Sequence, residues 1–335
     1  MELVVLALSR SELRKLVPMS SAVELMKVAF LELSEGRAQA PVRAVVEVND
    51  DPSAMLMMPG YVPSSNALGF KVVNFFAGNP VKRGLPTIHA IVCLIDDVTG
   101  EPLGVMEGGY VTALRTGAVS GAASDFMARS NSTVLTIIGA GVQGVTQAAA
   151  VCAVRPIDRI IVVDTREEQL ERYQQMVKAD WPELARLLVT TTDVSHAVAQ
   201  ADIICTATTA RAPVFDDADL KPGTHINAVG AFTPEMQEIP PATVVRARVV
   251  IDNLDAILAE AGDLLKPLND GLIEQSHFTI ELGHLVAGSA TGRASDEEIT
   301  FFKSVGNAVQ DVVVARYAVD QARALQIGTT IDLTA

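Results

Sequence analysis

The amino-acid sequence predicts an α/β protein with one domain built on a helix-covered parallel sheet and a second domain of α+β type. Three observations predict it. After Asn131 short apolar runs alternate with helical stretches, the rhythm of strand–helix–strand units whose sheet is buried on both faces. Between Arg43 and Asp96 the chain reads instead as strands separated by turns, the pattern of an antiparallel or mixed sheet. Residues 139–144, GAGVQG, stand between the apolar run TVLTII and the helical run VTQAAAVCAV.

Taken in order, the opening MELVVLALSR reads as a strand, because its apolar run is short and Glu2 stands where an export signal carries basic residues. A helical pattern follows over residues 11–35, with Ser21 and Glu24 spaced as a capping box. Residues 43–48, 53–58, 68–76 and 88–95 read as strands, punctuated by Asn49-Asp50, Pro59-Gly60, Gly78-Asn79-Pro80 and Thr99-Gly100. Residues 109–129, rich in Ala, Gly, Ser and Thr, read as a helix packed closely on a neighbour. The parallel strands follow at 133–138, 160–164, 187–191, 203–207, 225–229 and 249–252, with helices from Val142 and over 167–178. The tail, 296–324, reads as a helix that can return to the first domain.

Composition narrows the function. Hydrophobic residues make up 49% of the 335 but aromatics only 4%, so two cores must be built mostly from aliphatic side chains. A formal net charge of -14 repels polyanions and argues against nucleic acid and anionic membranes as partners. No stretch reaches the roughly 18 apolar residues of a membrane span. The positive mean hydropathy, +0.30, points to a large core or a buried subunit interface. Cys93, Cys152 and Cys205 lie in apolar stretches without metal-ligand spacing, as in a protein of the reducing cytoplasm. The histidines form no metal-ligand pattern: His277 and His284 lack a third ligand, His89 reads as a strand histidine, and His225 reads as structural.

GAGVQG satisfies the G-x-G-x-x-G pattern of a Rossmann domain, and its context makes the match specific. Gly139 permits the tight turn, Gly141 lets the backbone approach a pyrophosphate, and Gly144 lets helix and strand pack closely. Val142 and Gln143 open the helix, whose free N–H groups and positive end suit phosphates. Asp164, about 20 residues on, ends the next strand where a ribose 2′-hydroxyl is read, which favours NAD(H). Thr165 and Arg166 follow it, and Arg166 leaves NADP(H) open.

Two cations stand out. Lys71 lies in an apolar strand on the face of Val73 and Phe75, where an ammonium is costly unless it meets an anion. Arg115 is the lone basic residue in a stretch of small uncharged side chains, suited to a bidentate grip on a carboxylate. An ion pair with an internal Asp or Glu is the alternative for each.

The chain resembles the ornithine cyclodeaminase/μ-crystallin family. The signs are Arg43, GFKVVN at 69–74, MEGGYVTALRTGAVSGAAS at 106–124, GAGVQG, HINAVGA at 225–231 and FKSVGNAVQD at 302–311. The resemblance implies a homodimer with an active site in the cleft beside the Rossmann domain, and a first domain in two pieces. The expected boundaries are 1–125 with 306–335 for the substrate-binding and dimerisation domain, and 126–305 for the Rossmann domain. It also implies that Arg43, Lys71 and Arg115 hold a substrate carboxylate, with Lys71 and Arg115 the catalytic pair. Thr116 and Val229 would touch cofactor, and Met58 and Phe232 the substrate. Asp311 falls within a matched segment but reads as a helix-surface acid.

Departures from the family pattern select the chemistry. Ornithine cyclodeaminases carry an acid after INAVG and another before the Met-Pro dipeptide; Phe232 and Leu56 stand there in this chain. Losing ammonia and attacking with a side-chain amine need a positioned base. Reducing a preformed cyclic ketimine needs less: an anchored carboxylate, a docked nicotinamide and exclusion of water. The expectation is therefore a reductase turning Δ1-pyrroline-2-carboxylate or Δ1-piperideine-2-carboxylate into L-proline or L-pipecolate with NAD(P)H. An alanine-type dehydrogenase, an ornithine cyclodeaminase and a non-catalytic nucleotide-binding protein are the alternatives.

Overall fold

Pro18 splits the first helical stretch in two, because it has no N–H with which to continue a helical ladder. The computed structural model describes residues 4–48 and 53–334. Strand β1 (Val4–Leu8) leads into α1 (Arg10–Leu16), and α2 (Met19–Ser34) starts after Pro18. The capping box lies at Ser9 and Glu12, not at Ser21 and Glu24: the Glu12 carboxylate accepts the Ser9 N–H at 2.8 Å and its hydroxyl at 2.6 Å. Glu24 pairs instead with Lys27 at 2.7 Å.

The meander comprises β2 (Ala44–Glu47), β3 (Ser53–Val62), β4 (Ala67–Phe76), the short helix α3 (Asn79–Arg83), β5 (Ile88–Ile95) and β6 (Pro102–Glu107). The turn expected at Asn49-Asp50 lies outside the described residues. Helix α4 (Gly108–Met127) follows. The chain then alternates through β7 (Val134–Ile138), α5 (Val142–Val154), β8 (Arg159–Val163), α6 (Glu167–Asp180), β9 (Leu188–Thr191), α7 (Val194–Gln200), β10 (Ile203–Thr206) and β11 (His225–Ala228). After α8 (Pro241–Arg246) and β12 (Arg248–Ile251) come α9 (Leu254–Glu260), α10 (Gly262–Asn269), α11 (Leu282–Val286) and β13 (Thr300–Lys303). Helix α12 (Ala308–Leu325) and β14 (Thr329–Asp332) close the described chain. The tail is thus not helical from 296. The β-forming run TFFK is a strand, and α12 starts only after Gly306, whose φ of +87° breaks the backbone direction.

Two compact units result, Met1–Arg115 with Asn307–Ala335, and Thr116–Gly306; the division falls inside α4. The first holds a seven-stranded mixed sheet in the order β14-β1-β6-β5-β4-β3-β2. Its β1–β6 pair is parallel and its other pairs antiparallel. In that sheet Lys71 sits opposite Met58 on one side and Val92 on the other. Helix α12 packs across β3–β6.

The second unit holds a seven-stranded sheet, β12-β13-β11-β10-β7-β8-β9, parallel throughout. Ile138, Ile161, Val163, Ile204, Ile226, Val249 and Phe301 belong to its core. Strand order reverses between β7 and β10, so their carboxyl ends flank a topological switch point, the place where open α/β sheets take ligands.

Candidate functional site

In the first unit β4 carries Lys71 into the interior, where its side chain is only 1% exposed. Met58 and Val92 beside it are buried, so no water reaches the ammonium from the sheet side. Its anion is Asp311, wholly buried in the first turn of α12, with Nζ to Oδ2 at 2.7 Å. The expectation of a helix-surface acid is therefore wrong: α12 is buried on nearly all sides through its first two turns. The other carboxylate oxygen, Oδ1, lies 3.3 Å from Arg115 Nε. Gln310 holds the guanidinium from its far end, its Oε1 accepting Arg115 Nη1 at 2.7 Å and the Asn307 N–H at 2.8 Å. The cap of α12 thus orients Arg115.

Burial first, and Arg115 second, push the Lys71 ammonium down to about 7, against the opposing pull of Asp311; Arg43 adds to the depression. Lys71 and Arg115 thus share the internal carboxylate that was the alternative to a substrate. Arg43, half-buried just before β2, joins them through this field.

In the second unit the glycine run shapes the turn between β7 and α5. Gly139 turns the chain at φ +107°, a conformation that L side chains rarely adopt. A side chain on Gly144 would run into the Gly139 carbonyl and come within 2.9 Å of Ile137 Cγ2, so α5 and β7 approach as closely as they do only because it has none. At Gly141 nothing lies within 4 Å of where a Cβ would stand, leaving open space beside the helix N-terminus. Gly141 is also the N-cap and supplies no side-chain cap to α5. Gln143 Oε1, next to it, is buried without a hydrogen-bond partner. An open approach and an uncapped helix end, with its free N–H donors, fit a dinucleotide phosphate bridge. Asp164, at the end of β8, accepts the Ala140 N–H at 3.1 Å and the Arg166 N–H at 3.1 Å, which fixes its carboxylate beside the fingerprint through the Thr165 turn. The Arg166 side chain is exposed, 3.7 Å from Asp164. Val142 is half-exposed on the first turn. Thr116 is buried, and its carbonyl accepts Gln147 of α5 at 2.9 Å.

Val229 follows β11, its N–H bonded to Thr206 O at 3.0 Å, and Phe232 stands three residues on, 41% exposed. Sequence reasoning passed over the acids and lysine behind this loop, Glu238, Asp263 and Lys303, all fully buried. Lys303 gave the same signal as Lys71, a cation in an apolar strand. His225 is structural, bonded to Thr300 at 2.9 Å and Asn227 at 3.1 Å, and burial depresses its pKa to about 3. His89 lies on β5 opposite Asn74 and is exposed.

A parallel sheet with a dinucleotide fingerprint at its switch point defines a Rossmann-type dinucleotide-binding protein. The chain belongs to the ornithine cyclodeaminase/mu-crystallin family, whose model matches residues 4–326. It is 40% identical to a Delta(1)-pyrroline-2-carboxylate reductase of Bacillus cereus over 328 residues, 98% of this chain and 99% of that protein. Among solved structures, Thermococcus litoralis Delta(1)-pyrroline-2-carboxylate reductase in complex with NADH and L-proline superposes with a TM-score of 0.92 at 39% identity, covering 98% of this chain and 100% of that one. An archaeal alanine dehydrogenase dimer with bound NAD gives a TM-score of 0.89 at 32% identity, covering 98% and 99%. No helix among the described residues is long and apolar enough to cross a membrane.

Proposed function

We propose that the chain is an NAD(P)H-dependent imine reductase that converts a cyclic ketimine, Δ1-pyrroline-2-carboxylate or its six-membered homologue, to L-proline or L-pipecolate. The observation that carries this reading is the convergence of two buried cations, Lys71 and Arg115, on one carboxylate, Asp311. In this reading a substrate carboxylate is gripped by the Arg115 fork and the Lys71 ammonium, with Arg43 as the third cation. Met58, in register with Lys71, and the exposed ring of Phe232 offer apolar surface to ring methylenes. Leu56 and Phe232 provide no base for ammonia loss, so the ring nitrogen takes its proton from solvent before binding and the substrate enters as the iminium. The Gly139–Gly144 run would hold the pyrophosphate of the dinucleotide, whose reduced nicotinamide would supply hydride to C2. The hydride and the earlier proton together saturate the C=N bond. Asp164 on the ribose favours NADH, and Arg166 admits NADPH.

The deciding assay follows NADH oxidation with Δ1-pyrroline-2-carboxylate at neutral pH, with proline as the product measured. The Arg115→Ala variant should lose about 10- to 150-fold in kcat/KM, the worth of one charge-assisted hydrogen bond, with NADH affinity unchanged. Absence of turnover with NADH still bound sinks the assignment and directs attention to pyruvate with ammonia.

The chain is also proposed to act as a homodimer in the cytoplasm. An exposed sheet face of the first unit supports the dimer, and three free cysteines support the compartment.

A further inference from the structure

Behind the loop that ends β11 lie three charged side chains with no exposure, Glu238, Asp263 and Lys303. Their bonds converge on backbone. Glu238 Oε1 accepts the Thr208 N–H at 2.7 Å, and Oε2 accepts the N–H groups of Gly230 at 2.8 Å and Ala231 at 3.1 Å. Lys303 Nζ donates to the Ala231 carbonyl at 2.6 Å and to Asp263 Oδ2 at 2.8 Å. Asp263 Oδ1 in turn accepts the N–H groups of Glu238 at 2.6 Å and Ile239 at 3.0 Å, fixing the segment that carries the glutamate. Both polar groups of Ala231 are thus held by charges. Gly230 admits no side chain, since a Cβ there would collide with the Glu238 carboxylate and with Thr208.

Stability does not account for such a cluster. Burying three charges is expensive, and apolar side chains of similar volume commonly fill such space as well. What the cluster does uniquely is immobilise two loops at the carboxyl ends of β10 and β11, the ligand side of an open parallel sheet. The next side chain after the doubly held Ala231 is Phe232, whose ring projects to 41% exposure from a backbone with no freedom behind it.

We propose that Glu238, Asp263 and Lys303 are positioning residues for the reaction: they lock the Gly230–Ala231 backbone so that Phe232 stands as a fixed apolar wall against the substrate ring. The inference rests on the ketimine reductase reading for its substrate. A rigid wall selects a ring of methylenes and penalises a chain bearing a free ammonium, which would lie against it unpaired. Glu238→Gln breaks the lock from one side, because its NH2 group faces an N–H donor where a carboxylate oxygen had accepted. Gly230→Ala breaks it from the other.

The test combines amide exchange with kinetics. In the unaltered protein the Gly230 and Ala231 amides should exchange as slowly as those of β11 although they lie in a loop; exchange at ordinary loop rates overturns the lock, whatever the substrate proves to be. In Glu238→Gln and in Gly230→Ala those amides should exchange faster while residues 139–144 keep their protection. The KM for the imino acid should rise about tenfold in either variant, with the Kd for NADH within about twofold. Combined with Phe232→Ala, neither change should add more than about twofold to the effect of Phe232→Ala alone. Full additivity, or a lowered Tm with an unaltered KM, overturns the positioning role. Failure of the unaltered enzyme to turn over any cyclic imine removes the substrate reading, and the exchange result still decides the lock.

Discussion

Burial strips the Lys71 ammonium of water and Arg115 adds a like charge, so its pKa falls from 10.5 to about 7 even with Asp311 in contact. The sign of the consequence follows from linkage. Between about 7 and 10.5 the folded protein holds less proton on Lys71 than the unfolded chain does, so folding stability rises with pH across that window and is lost again as pH falls toward 7. Binding runs the other way, because the carboxylate needs the ammonium form. The kcat/KM for the imino acid should fall as pH rises above about 7, and Asp311→Asn, which removes a charge that holds Lys71 up, should move that fall to lower pH. Profiles of the two proteins at saturating NADH check this. The substrate's own titration is common to both, and coincident profiles refute the coupling. Lys71 and Arg115 were legible in the sequence because a cation amid apolar or small residues is conspicuous. Asp311 was not. Residues 308–315 are all buried, so the helix start has no polar face from which to read which side an acid takes.

Elements carry the cofactor argument, and there the glycines separate into different jobs. Gly144→Ala drives a methyl into the Gly139 carbonyl, so α5 must lift from β7. The cost should be about 1–3 kcal/mol of stability, seen as a lower Tm, together with weaker NADH binding. Gly141→Ala meets nothing within 4 Å at an ordinary φ of -93°, so its Tm should hold or rise slightly through the stiffer unfolded chain. On the proposed placement of the cofactor its methyl would stand in the approach of the pyrophosphate, and NADH binding should weaken with no loss of fold. Calorimetry and NADH titration of the two variants check the division, and a Gly141→Ala protein that binds NADH normally refutes the placement of the phosphates. At this scale the sequence was informative wherever alternation was clean, as for the strands around GAGVQG. It misled at 300–303, where TFFK adjoins a long helical pattern. What makes that segment a strand is pairing with β11 and β12, remote in sequence. Pro18, by contrast, was a local signal for a helix break that the longer apolar periodicity obscured.

For the whole molecule the open question is what covers the first unit's sheet. One face of that sheet carries Lys71, Met58 and Val92, all buried. On the other, Ala44, Met57, Val72 and Ile91 line up across β2 to β5 before Glu107 of β6, and the next row runs Val46, Met55, Asn74 and His89, so the face is aliphatic chiefly on β2 and β3 and along the Val72–Ile91 row. Val46, Met57 and Ile91 are each about half exposed, at 52%, 42% and 47%. An aliphatic sheet face of this kind, in a chain of net charge -14, calls for a partner surface of the same character. In the proposed homodimer a second copy provides one. In a two-fold interface a residue near the axis meets its own copy or a close neighbour, so a single added charge is felt twice. Ile91→Glu should therefore convert a dimer of about twice 35.5 kDa to a monomer of 35.5 kDa by light scattering at micromolar concentration. Ile91→Val, which keeps the face apolar, should remain dimeric. A monomeric parent protein, or an Ile91→Glu variant that stays dimeric, would show that this face is not the subunit interface and would move the search to the outer edge of β2.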